Sequence, residues 1–246
     1  MTFLGLVGIL LLSGFMLATS PPEGAIRMLI VVFILSGWLV QLCVHEYGHA
    51  LAGYLGGDHG VADRGALTLD PAAYADPLMS FGLPLVFLLM GGIPLPGGSV
   101  LVNRQRLRSR RWDLAVSAGG PLGTLLMLLL VCAPFLVMQD AWISESNIEF
   151  WTALSGLGYV LIIALVLNLL PVPPLDGWNI ASHWMSHETR AYAANLGYMP
   201  LLILFAMFWL PTPFTFAFWD FTDGLSILAG IPEGWGLYAL HKLTLF

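Results

Sequence analysis

Residues 28–57 read MLIVVFILSGWLVQLCVHEYGHALAGYLGG. The stretch opens as an apolar run on the way to the ~20 residues that cross a hydrocarbon core. Its second half then sets His45, Glu46 and His49 into the same run. An ionisable side chain at membrane depth costs ~2.5 kcal/mol or more and is functional by default. The position of these three residues therefore needs a chemical reason.

The surrounding chain sets the frame. Its 246 residues are 58% hydrophobic and 10% charged, far from the roughly 25% charged composition of soluble domains. The chain is therefore expected to be an all-α polytopic membrane protein forming a single domain over residues 1–246. Apolar runs at about 25–54, 113–138 and 150–172 are its core helices, and runs at about 3–19 and 192–211 are peripheral ones. A weaker run over about 214–235, interrupted by Asp220 and Asp223, is a further candidate and brings the expectation to about five to six transmembrane helices. The first run has no basic leader and is followed by Pro21 and Pro22, which suits a spanning helix better than a cleaved signal. Cys43 and Cys132 fall inside apolar runs and are expected to pack there rather than pair.

The net charge of −6 conceals an asymmetry. Of nine Lys and Arg residues, Arg104, Arg106, Arg108, Arg110 and Arg111 are gathered in RQRLRSRR. Short basic loops stay on the cytoplasmic side of a membrane. No nucleic-acid recognition motif accompanies the arginines, so no nucleic-acid partner is expected.

HEYGH, residues 45–49, matches H-E-x-x-H. Helical positions i and i+4 share a face, so His45 and His49 can grip one zinc ion while Glu46 reaches a water as general base. About 0.004 chance occurrences are expected at this length and composition. A buried histidine pair bonded to a neighbouring helix would account for the polar residues but not for their spacing.

A catalytic zinc keeps three protein ligands and an open position. The third is expected from NLLPVPPLDGWN, residues 168–179, where Pro171, Pro173 and Pro174 break an apolar helix just ahead of Asp176 and Gly177. Irregular backbone at membrane depth is tolerated only where it lines protein or a wet cavity. From there Asp176 can swing onto the metal.

HEYGH together with NLLPVPPLDG resembles the site-2 protease family of intramembrane zinc metalloproteases, whose motifs are H-E-x-x-H on one helix and N-x-x-P-x-P-x-L-D-G on another. GALTLDPAAYADP and VLVNRQRLRSRRWDLAVSAGGPLGTLL are similar to its short subgroup in bacteria and archaea, which has no accessory domains. The resemblance covers most of residues 40–180. It implies one zinc per chain held by His45, His49 and Asp176, with Glu46 as catalytic base. It also implies that Asn168 helps hold the substrate or transition state. A membrane-protein or membrane-peptide substrate in the lipid bilayer of a prokaryotic cell (inner) membrane follows from the same resemblance. Two departures stand out: GGPLGT puts Thr124 where A-G-P-x-x-N has asparagine, and LPGGSVLVN replaces G-W-A-K-P-V-P-V-N.

Assembly of the three ligands constrains topology. His45 and Asp176 both lie toward C-terminal helix ends, so an even number of crossings must separate them. Three apolar runs intervene, and the shortest, about 79–97 with its GGIPLPGG tail, is expected to re-enter as a hairpin or short β element between the second and third helices. The zinc site then shares the cytoplasmic side with the arginines. An exposed backbone edge there could bind an extended substrate by strand addition.

His183 and His187 repeat the i, i+4 spacing without a following glutamate and are expected to be interfacial, as are Trp184, Trp219 and Trp235. Gly48, Gly53, Gly56 and Gly57 would let elements approach closely. The expected function is an intramembrane zinc metalloprotease. The rival is a zinc-binding scaffold or carrier of the same fold, which would need the ligands but not Glu46. An ion transporter would need more acidic residues inside its helices than Asp220 and Asp223.

Overall fold

The computed structural model describes residues 2–70, 82–91, 93–94 and 100–243. Among these, every regular element is helical. Helix α1 spans Thr2–Leu17, α2 Glu23–Gly56, α3 Gly60–Asp63, α4 Leu83–Gly91, α5 Arg110–Trp142 and α6 Ile148–Leu169. They are followed by α7 (Asp176–Ala181), α8 (His187–Leu196), α9 (Met199–Phe208), α10 (Pro213–Leu228) and α11 (Trp235–Leu243).

Three helices, α2, α5 and α6, are long and apolar enough to cross a membrane, and α8 with α9 makes a fourth if that pair, bent by 67°, counts as one span. The count of five to six expected from apolar runs is higher, for local reasons. The run at 192–211 is divided at Gly197, whose positive φ of 55° ends α8. The run at 214–235 is divided between α10 and α11, and α1 has only 16 residues. Hydropathy sums over breaks that backbone geometry respects.

Helix α6 is the axis of the molecule. Ser155, Val160, Leu161 and Ile163 are fully buried, as expected of a helix apolar on every side. Helix α2 supplies Ile30, Ile34 and Trp38 to the same core. Small residues set the spacing: a Cβ on Gly37 would lie 2.5 Å from Leu157, and one on Gly156 would lie 2.5 Å from Ala239 of α11. By contrast Leu122, Leu126, Leu129 and Leu130 of α5 are more than half exposed. In water such a stripe would be a liability, but against lipid it costs nothing. Cys43 and Cys132 are buried and unpaired, as expected.

The end of α2 and the start of α5 are tied together. The Arg108 amide donates to Gly56 O at 2.9 Å and its guanidinium donates to Leu55 O. These carbonyls are among those a helix end leaves without partners. Gly57 turns the chain there with φ 120°. Next to it Asp58, fully buried, accepts from the Asn103 amide at 2.8 Å and pairs with Arg64 at 3.0 Å and Arg106 at 3.7 Å. Burial alone would raise its pKa, but the Asn103 amide and the two guanidinium groups outweigh it and hold the Asp58 carboxyl below the usual range. This contribution to stability is present above the ordinary carboxylate pKa and is lost as pH falls through the lowered one.

The segment between α2 and α5 therefore begins and ends at the same place in the molecule. Helix α4, which is the described part of the segment expected to re-enter, has nine residues and a length of ~13.5 Å, under half of a ~30 Å core. No strand forms among the described residues. Residues 79–81, 92 and 95–97 of that segment lie outside the described residues.

Candidate metal centre

Helices α2 and α5 meet along two matched stripes. On α2, Gln41, His45 and His49 follow one another at four-residue intervals. On α5, Val116, Gly120 and Thr124 do the same. Four-residue spacing keeps each set on one helix face. Glycine makes the approach possible: a Cβ on Gly48 would lie 2.1 Å from Gly119 O, and one on Gly119 would lie 2.4 Å from Gly48 O. The other glycines singled out in α2 act likewise, Gly53 against Val102 and Gly56 against Trp112.

Asp176 arrives from α6. That helix stops at Leu169, and Leu170 is extended with ψ 138°, a conformation that the following proline favours. The proline-rich turn then folds back so tightly that a Cβ on Gly177 would lie 2.1 Å from Leu169 O. Asp176 is the first residue of α7. After the run of α5 and α6 it lies at the same end of the molecule as His45 and His49.

His45 Nε2, His49 Nε2 and Asp176 Oδ2 form a near-equilateral triangle. The two nitrogens are 3.1 Å apart, and the carboxylate oxygen is 3.3 Å from the first and 3.4 Å from the second. Ligands at zinc distances of about 2.0–2.1 Å around a tetrahedral ion are separated by roughly 3.3 Å. The triangle thus has the size of one face of such a tetrahedron. Its side chains are 4% exposed at His45 and 7% at His49, and Asp176 is partly buried.

A second observation concerns the room for an ion. A Cβ built on Gly120 would lie 2.2 Å from His49 Nε2 and 2.5 Å from His45 Nε2. These are close to zinc–nitrogen distances. Gly120 leaves empty a space that any other residue would fill.

Proton positions agree with metal binding. His49 Nδ1 lies 2.6 Å from Val116 O, and a carbonyl can only accept. The ring therefore donates through Nδ1 and, when neutral, presents a bare Nε2 to the triangle. Glu46 is also buried, and its Oε2 accepts from the Val100 amide at 2.8 Å. Its Oε1 takes no hydrogen bond from the described residues.

The structure thus brings together three of the residues chosen from motif spacing and places Glu46 beside them in sequence on the same helix. Asn168 is buried one residue before the end of α6, without a hydrogen bond to His45, His49 or Asp176. His183 is buried in the protein, with Nδ1 2.8 Å from Asn179 O and Nε2 3.1 Å from Asp113 of α5. Asp113 also binds Arg104 at 2.6 Å, so the segment after Asp176 is anchored to the arginine loop. Exposed His187 does not share this burial. Asp223 accepts from Tyr159 of α6, which gives one acidic residue of the weak run a docking role.

Sequence reasoning did not single out Gln41, Gly120, Val116 or the Val100 amide. The four-residue repeats on both helices were the available signal for the first three. The Val100 contact joins residues 54 positions apart and involves only a backbone amide, which no residue pattern encodes.

The chain has relatives among curated proteins. It is 37% identical over 212 residues, 85% of this chain and 80% of the other, to "Putative zinc metalloprotease Rip2" of Mycobacterium tuberculosis. It is 36% identical over 178 residues, 71% of this chain and 67% of the other, to the protein of the same name in Mycolicibacterium smegmatis. With "Putative zinc metalloprotease YwhC" of Bacillus subtilis it shares 31% identity over 175 residues, 68% of this chain and 77% of that one. No family model and no solved structure matches.

Proposed function

The chain belongs to the site-2 protease family of zinc metalloproteases, and from that premise we propose that it hydrolyses peptide bonds in or near transmembrane segments of membrane proteins. The observation that carries the reading is the His45–His49–Asp176 triangle, with ligand atoms within 4.8 Å of one another and, one residue from the first ligand, a Glu46 carboxylate whose Oε1 takes no hydrogen bond from the described residues. One zinc ion per chain would be held by these three side chains, and bound there it supplies Lewis acidity that polarises a carbonyl and brings the pKa of water toward ~7.

Glu46 Oε1 takes a proton from the attacking water as its oxygen forms the new bond to the scissile carbonyl carbon. The same carboxyl then returns the proton to the amide nitrogen as the carbon–nitrogen bond breaks. The Val100 amide holds Oε2, so the other oxygen is the one directed to this work. Asn168 is assigned to substrate or transition-state binding. Beside the Asp176 turn, Pro171, Val172 and Trp178 face Tyr192 and Leu196 across an apolar cleft, a lining that suits a transmembrane segment.

A scaffold or carrier would need the three ligands but has no use for a buried carboxylate one residue from the first of them. The reading is tested with the purified chain in lipid and a membrane-embedded reporter substrate. Chelation is expected to stop cleavage and zinc to restore it. Undiminished cleavage by the metal-free chain would overturn the assignment.

We place the site toward the cytoplasmic face of a prokaryotic cell membrane, with α1 and α10 as peripheral membrane elements. Support comes from the five arginines gathered at the junction of α2 and α5. A topology reporter inserted at Asn103 should read cytoplasmic, and an external reading would reverse the orientation.

A further inference from the structure

We propose that Thr124 is a positioning residue for the metal site: its hydroxyl, locked between Gln41 and the Gly120 carbonyl, holds His45 in the tautomer that offers Nε2 to zinc. The proposal rests on the zinc reading above and adds a residue to it.

The argument is a count of donors and acceptors. Thr124 Oγ1 is fully enclosed and has three neighbours: Gln41 Nε2 at 2.7 Å, His45 Nδ1 at 2.8 Å and Gly120 O at 3.3 Å. A hydroxyl has one hydrogen to donate and two lone pairs to accept with. Gly120 O can only accept, so it takes the hydroxyl hydrogen. Gln41 Nε2 can only donate, so it fills one lone pair. The position left for His45 is the second lone pair, and Nδ1 must bring the hydrogen. A neutral imidazole protonated at Nδ1 is bare at Nε2, the atom facing His49 and Asp176.

Both ligand histidines are thereby oriented by one face of α5. Val116 O sets His49, Thr124 sets His45, and Gly120 between them leaves the space for the ion. The two devices differ in robustness. A backbone carbonyl cannot be removed by substitution, whereas Thr124 does its part through a side chain and depends on Gln41 to prevent the hydroxyl from turning. Gln41, 2% exposed and one helical turn before His45, has no other hydrogen-bond partner among the described residues.

Partners that orient a metal-ligating histidine typically contribute 10–100-fold to metal affinity. Thr124→Val keeps the shape and removes the hydroxyl. In the full chain in detergent, competition with a chromogenic chelator is expected to show a zinc dissociation constant raised about 10–100-fold. Thr124→Ser should stay within about threefold of wild type, and Gln41→Leu should fall between the two, since Thr124 still accepts from His45. Cleavage by Thr124→Val at saturating zinc should recover most of the wild-type rate, which a residue needed for the reaction itself would not allow.

Zinc binding by Thr124→Val as tight as wild type would overturn the proposal, and so would Thr124→Ser as weak as Thr124→Val. If Thr124→Val does not fold, the order of Thr124→Ser and Gln41→Leu decides the matter in the same way. Absence of zinc binding by the wild-type chain would instead remove the metal reading on which this rests.

Discussion

Replacing Gly120 with alanine is expected to abolish zinc binding and, with it, cleavage. The added methyl would sit 2.2 Å from His49 Nε2 and 2.5 Å from His45 Nε2, in the space that the ion itself requires. Escape by moving α5 outward would open the close Gly119–Gly48 backbone packing next door. Movement there would separate the two histidines from the Val116 and Thr124 groups that orient them. The loss should exceed the ~100-fold upper range for removing one orienting partner, so the purified variant is expected to carry zinc only at background level. Thermal melting in detergent, compared with the metal-free wild type, separates a blocked site from a collapsed fold. A Gly120→Ala chain that holds zinc at wild-type affinity would show that the ion does not lie in the triangle.

The second large effect separates chemistry from binding. Glu46→Gln preserves the shape of the side chain and an oxygen to accept from the Val100 amide, but it removes the group that takes the proton. General-base catalysis is worth about 10²–10⁴-fold, so cleavage is expected to fall by that factor while zinc content stays at the wild-type level. Zinc should be retained because Glu46 contributes no atom to the triangle. Together the two variants form a contrast: Gly120→Ala loses the metal and the activity, and Glu46→Gln loses the activity alone. Equal cleavage by Glu46→Gln and wild type would sink the proposed mechanism.

At the departure itself, Thr124 reaches His45 directly at 2.8 Å, and Gln41 of α2 donates to the same hydroxyl. Neither residue carries a signal alone. Each is an ordinary polar residue in an apolar helix until the two helices are placed together.

Membrane character, the metal-binding pair and the break that delivers Asp176 were all legible in the sequence. Each depends on near neighbours along the chain: a run of apolar residues, two histidines one helical turn apart, and prolines that cannot continue a helix. Even the demand that an even number of crossings separate His45 from Asp176 followed from the motifs. Tertiary structure alone decided the rest, because it depends on which surfaces meet. The breaks at Gly197 and between α10 and α11 divide runs that hydropathy joins. His183 pairs with Asp113, 70 positions away. The space above the histidines is made by a glycine on another helix, and the tautomer of His45 is set by a hydroxyl 79 positions distant. Local pattern specifies what a residue can do, and only packing specifies what it faces.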